Sequence, residues 1–194
     1  MSLPPEHIAR ETRAWVSRAV VGLNLCPFAK TAQVKNQIRY VVSEATDAQT
    51  LLATLCDEMR HLVAADPAEV ETTLLIHPGV LTDFLDFNDF LELADEALED
   101  LGLHGVLQIA SFHPDYQFAG TAPGDVGNAT NRSPYPCLHL LREDSVARAV
   151  AAIPAPEAIF EANIRTLEAL GPQGWAALQA ACRREADEAG SGQG

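Results

Sequence analysis

The chain reads as an α/β (α+β) domain: a small mixed four-stranded sheet with helices packed on it and extra helices at the C-terminus. Three observations predict this. Four short runs rich in β-formers, at 37–43, 71–77, 105–112 and 137–142, alternate with helical patterns. Proline and glycine punctuation separates them, as at Asp66-Pro67, Pro78-Gly79 and Gly171-Pro172. A chain of 194 residues is also the size of one ordinary domain.

Each element has its own warrant. Pro4 and Pro5 precede Ile8, Thr12, Trp15, Val16, Ala19 and Leu23, which recur at helical spacing. That helix should fail between Gly22 and Pro27, because Pro27 biases Cys26 away from helical geometry. After the first strand, Thr46 and Gln49 form a candidate capping box for a helix carrying Leu51, Leu52, Leu55, Met59, Leu62 and Val63 on one stripe. After the second, a helix places Phe87, Phe90, Leu91, Ala94, Leu98 and Leu101 on one face, and Gly102 suits its C-terminal cap. Asp83, Asp86 and Asp89 near its start read as favourable helix N-terminal acids rather than a cation site.

The last two strands flank a long connection and are expected to pair antiparallel, with a ferredoxin-like variant among the arrangements this order fits. Ser145 to Ile153 is a short helix interrupted by Pro154 and Pro156. Two more helices follow, the first closed by Gly171-Pro172. Residues 1–184 are then one globular unit, and the Gly/Ser-rich stretch 185–194 is expected to be a flexible tail.

Composition narrows function. Twenty-seven acids against 13 bases give a formal charge of -14, which repels phosphate backbones and anionic membranes. The start carries no basic end followed by an apolar run, so no signal peptide is expected and the cytoplasm is the expected address. Cys26, Cys56, Cys137 and Cys182 have irregular spacing, which reads as free thiols rather than a disulfide framework. No phosphate-binding loop, dinucleotide fingerprint, zincin helix or nucleophile elbow is present.

Chemistry concentrates in 111–136, because connections this long inside compact domains are usually functional. His113 ends a strand and precedes Pro114 and Asp115. An imidazole beside a carboxylate suits proton transfer near neutral pH, although Asp115 would equally cap a turn. Asn128, Asn131 and Arg132 form a donor cluster, with Tyr116 nearby. The guanidinium fork suits a carboxylate or phosphate, or an internal tie to Asp115 or Asp125. Cys26, His77 and His113 form a speculative ligand set for a divalent metal, without close spacing to support it. Cys26 follows a helix C-terminus, which disfavours a thiolate.

Three segments, Leu23-Asn-Leu-Cys-Pro-Phe-Ala-Lys30, His113-Pro-Asp-Tyr-Gln-Phe-Ala-Gly120 and Asn131-Arg-Ser-Pro-Tyr-Pro136, resemble the uncharacterised bacterial domain-of-unknown-function family fourteen-fifteen. The likeness covers nearly the whole chain except the tail. It implies one domain and supplies no mechanism.

The leading expectation is a small-molecule enzyme of hydrolase or transferase type. An anionic substrate would be held by Asn128, Asn131, Arg132 and Tyr116, with His113 moving a proton and Asp115 orienting it. The competing readings are a non-catalytic binding or interaction module and a His/Cys metal-binding protein. Convergence decides between them: an enzyme should gather His113, Asn131 and Arg132 into one pocket with Cys26 or His77.

Overall fold

The computed structural model describes residues 3–153 and 158–191. Helix α1 (Pro5–Trp15) continues into a π-helical turn, Val16–Val21. Helix α2 (Pro27–Val34), strand β1 (Ile38–Val42), helix α3 (Ala48–Ala64) and strand β2 (Thr72–Ile76) come next. Then follow α4 (Phe84–Asp100), β3 (Leu107–Phe112), a 3-10 turn (Val126–Asn131), β4 (Cys137–Arg142), α5 (Glu143–Ala151) and α6 (Ala158–Ser191).

The four strands form one mixed sheet in the order β1-β2-β4-β3. β1 and β2 are parallel, and β4 pairs antiparallel with both β2 and β3. The flanking strands of the long connection therefore pair as expected. The order differs from the ferredoxin-like variant, in which two βαβ units are both split by an inserted strand. Here β1 and β2 are immediate neighbours, and β4 splits only the β2–α4–β3 unit.

Alternation along the strands divides the core in two. Leu75, Leu138 and Leu140 face α3 and α4, packing with Leu51, Leu55, Met59, Phe87 and Phe90. Leu74, Ile76 and Cys137 face the opposite way, onto Trp15, Val16 and Ala19 of the α1 layer and Leu167, Trp175 and Cys182 of α6. At the end of β4, Arg142 donates Nη2 to the carbonyls of Leu62 and Ala65, orphan groups at the end of α3, and to that of Val70 in the loop before β2.

Several local expectations change. Residue Asp47, not Thr46, is the N-cap of α3, and its carboxylate accepts from Thr50 N and Thr50 Oγ1. Asp83 caps α4 by accepting from Leu85 N and Asp86 N. Pro27 ends one helical run and opens another, because its missing N–H costs nothing at a first helical position.

Gly171, at φ 68°, breaks α6 into limbs 158–170 and 172–191. The second limb runs on as helix to Ser191, through residues read as a tail from composition. Ala186 is buried, its carbonyl accepts from Arg10 Nε, and Glu185 pairs with Arg18 at 2.7 Å. Residues 192–194 lie outside the described residues, as do Pro154 and Pro156. Among the described residues no helix is long and apolar enough to cross a membrane.

Phe87 is fully buried, stacks on His77 and meets His113 at a tilt. Phe87→Ala should lower the free energy of unfolding by about 3–5 kcal/mol in urea titrations. A loss under about 1 kcal/mol would show that this layer is not the core.

Candidate functional site

The connection from β3 to β4 is held together by the polar side chains that its sequence singles out. Asn128 is fully buried. Its Oδ1 accepts from Phe118 N at 3.0 Å and Thr121 Oγ1 at 2.9 Å, and its Nδ2 donates to Ala122 O at 2.9 Å. Asn131 donates Nδ2 to Ser111 O, and its carbonyl accepts from His113 N, which pins the connection to β3. Arg132 donates Nε to Tyr116 O at 3.1 Å and Nη2 to Pro123 O at 2.8 Å. The Tyr116 ring packs between Phe84 and Phe118, each 5.1 Å away. Asp125 accepts from Gly127 N and caps the 3-10 turn, so neither it nor Asp115 pairs with Arg132.

His113 is fully buried, with both ring nitrogens engaged. Nδ1 accepts from Asp115 N at 3.0 Å, so Nε2 carries the proton and donates to Leu81 O at 3.3 Å. Leu81 adopts φ 55°, a left-handed conformation that costs a leucine about 1 kcal/mol or more. Burial lowers the pKa of His113, against opposing contributions from the Leu81 carbonyl and Asp115. Asp115 meets His113 through its backbone N–H, and its side chain is exposed.

His77 also packs against Phe87, with ring centroids 5.6 Å apart. Its Nδ1 donates to Val80 O at 3.0 Å, and Nε2 is buried without a hydrogen-bond partner. Burial pushes this imidazole down to about 4. His139 is likewise pushed down to about 4. Its Nε2 donates to Thr72 Oγ1, which in turn donates to Leu140 O.

The metal set is not assembled. His77 and His113 approach each other around Phe87 on the α4 side of the sheet. Cys26 lines a 40 Å³ apolar cavity on the opposite face, with Trp15, Leu74, Phe112 and His139. The sheet separates this thiol from the two imidazoles. Among the described residues no three His, Cys, Asp or Glu side chains are grouped to hold a metal ion. Cys26 is the N-cap of α2, so the electrostatic argument from a preceding helix C-terminus is corrected. Burial nonetheless pushes the thiol up, outweighing the backbone N–H groups of Ala29 and Phe28.

Two cavities flank a contact that the sequence reading missed. Tyr135 donates its hydroxyl to Glu11 Oε2 at 2.6 Å, and Glu11 is only 5% exposed. Burial first, and the bond to Glu11 second, raise the pKa of the phenol. On one side lies a cleft of 430 Å³ above the carboxyl ends of β1 and β2. Ile8, Val42, Ser43, Glu44, Thr46 and Tyr135 are among its lining residues. Gly79 also lines it and lets the loop after β2 approach closely: a Cβ there would lie 3.3 Å from Ala45 O. On the other side, Glu11, Arg132 and Arg183 line a smaller cavity of 120 Å³. The missed signal was readable, because Glu11 lies on the buried stripe of α1 with Ile8 and Trp15.

The fold and site define a mixed α/β domain with a cleft at the ends of its parallel strand pair. The chain belongs to the family described as "Protein of unknown function (DUF1415)", which matches residues 7–177. No curated protein and no solved structure matches it.

Two outcomes test this geometry. Asn128→Ala should cost about 2–3 kcal/mol of stability and speed amide exchange across 116–125, since it strands buried partners. A variant within about 0.5 kcal/mol of the parent would contradict the bracing role.

The second concerns pH. The folded-state pKa values of His77 and His139 lie near 4, below their ordinary 6.5, so the unfolded chain takes up protons first. Stability from these rings is intact above pH 6.5 and is lost as pH falls from there towards 4. Denaturant midpoints should therefore drop between pH 7 and pH 5, on the order of 1–2 kcal/mol per ring. His77→Gln should flatten that slope, and an unchanged slope would show that His77 is not buried neutral.

Proposed function

We propose that the chain binds a small, uncharged or cationic, hydrogen-bond-donating molecule in the cleft above β1 and β2. The cleft itself carries this reading. Its 430 Å³ falls in the range of small-molecule sites, and its lining is mostly apolar with a few polar groups. Ligands of open α/β sheets bind outside the carboxyl ends of the parallel strands, which is where it opens. Of the described residues lining it, Glu44 is charged and none is Lys or Arg. The chain's charge of -14 adds a potential that draws cations.

For a hydrolase or transferase built on this cleft, Tyr135 and Glu11 are the proton-handling pair, with the phenol hydrogen held towards Oε2 at 2.6 Å. The reading that puts an anionic substrate on His113, Asn128, Asn131 and Arg132 has less support. Those side chains spend hydrogen bonds on the connection's own backbone, and both His113 nitrogens are occupied. Arg132 also lines a different cavity from the Phe84 and Phe87 rings that enclose His113.

The test is a thermal-shift screen of amines, polyols and carboxylates, repeated on Thr46→Trp, which places an indole at the exposed rim of the cleft. Binding raises the unfolding midpoint by mass action. The expected result is a hit among the amines or polyols whose affinity drops at least tenfold in the variant, with the ligand-free midpoint unchanged. Hits confined to carboxylates, or a variant that binds like the parent, would dispose of the cleft assignment.

A further inference from the structure

We infer that the smaller cavity across the Tyr135–Glu11 contact is a site for a small oxyanion, a carboxylate or phosphate group. This goes beyond the cleft reading and rests on other residues. The cavity of 120 Å³ is lined by Arg132, Ser133, Gln179, Cys182 and Arg183 together with Glu11. It suits a group of carboxylate or phosphate size rather than a whole nucleotide.

Its two cations differ in how they are held. Arg132 is fixed from behind, because Nε and Nη2 are bonded to the carbonyls of Tyr116 and Pro123. A guanidinium ordered in advance loses little freedom on meeting an anion. Arg183 and Gln179 are one helical turn apart on α6, so their side chains share a face. Neither makes a hydrogen bond or ion pair with the described residues. In a chain with 27 acids and 13 bases, an uncommitted arginine beside a second, fixed arginine is a local reversal of the prevailing charge.

Glu11 is the opposing charge. Its Oε2 accepts the Tyr135 hydroxyl, so part of its hydrogen-bonding capacity is already taken up. Two guanidinium groups against one carboxylate leave the lining net positive. Charge-assisted pairing of arginine with an oxyanion then supplies the affinity.

The experiment is calorimetric titration of the whole chain with inorganic phosphate, sulfate and acetate, against chloride at matched ionic strength. Parent protein should bind at least one oxyanion saturably and chloride not at all. Arg183→Gln keeps the side chain's reach and leaves the Arg132 brace untouched. It should weaken oxyanion binding at least tenfold while keeping the parent's ligand-free unfolding midpoint. Phosphate without acetate would mark a phosphate site, and acetate without phosphate a carboxylate site. Equal heats with chloride, or an Arg183→Gln variant that binds like the parent, would overturn the inference. Thr46→Trp should bind oxyanion normally, so failure of the cleft assignment and failure of this one are told apart.

Discussion

Between β3 and β4 the backbone has no ladder to satisfy it, and buried amides and carbonyls must still find partners. Side chains from one short 3-10 turn and the residue after it meet that demand. Asn128 serves Phe118, Thr121 and Ala122, Asn131 serves Ser111, and Arg132 serves Tyr116 and Pro123. The sheet depends on the result. β4 runs antiparallel between β2 and β3, so the chain must leave edge strand β3, turn, and re-enter between β3 and β2 in register. A loosely held excursion would leave that register weakly specified.

A second constraint couples the excursion to the helical layer. A buried carboxylate is costly unless it is bonded, and Glu11 obtains its bond from Tyr135 at the far end of the connection. That contact ties α1 to the segment entering β4. The second limb of α6 then packs on α1 through Ala186 and on the π-helical turn through Glu185. The two cavities exist because three elements meet at this contact without filling the space on either side of it.

Much of the fold was legible, because its elements are strongly patterned. The four strands fall within the β-rich runs. Gly102 ends α4 at φ 68°, and Gly171 breaks the last helix, both at positions read as stops. What escaped was non-local. The helix opened by Pro27 is masked when that proline is taken only as a terminator. The stretch from Glu185 looked like a tail by composition, yet Arg10 and Arg18 of the α1 layer hold it in place. The site was half legible. The 111–136 segment carries the polar side chains that its sequence singles out, and His77 and His113 both pack against Phe87. Its polar side chains nonetheless turn inward to the segment's own carbonyls and amides. No spacing rule separates an arginine that binds a ligand from one that binds a loop, since both use the same charge-assisted bond. Glu11, by contrast, was an acid on an apolar stripe and could have been singled out.

Phe87 packs against two imidazoles of opposite tautomeric form. His77 carries its proton on Nδ1, facing the Val80 carbonyl. His113 carries its proton on Nε2, because the Asp115 amide occupies Nδ1. The Nδ1 contacts come from two different turns, the Val80 carbonyl for His77 and the Asp115 amide for His113, so each Nδ1 records whether its own turn is closed. Nitrogen-15 resonances of the side chains would thus distinguish the rings without a ligand or a mutation, and would register an opening at 113–115 separately from one at 77–80.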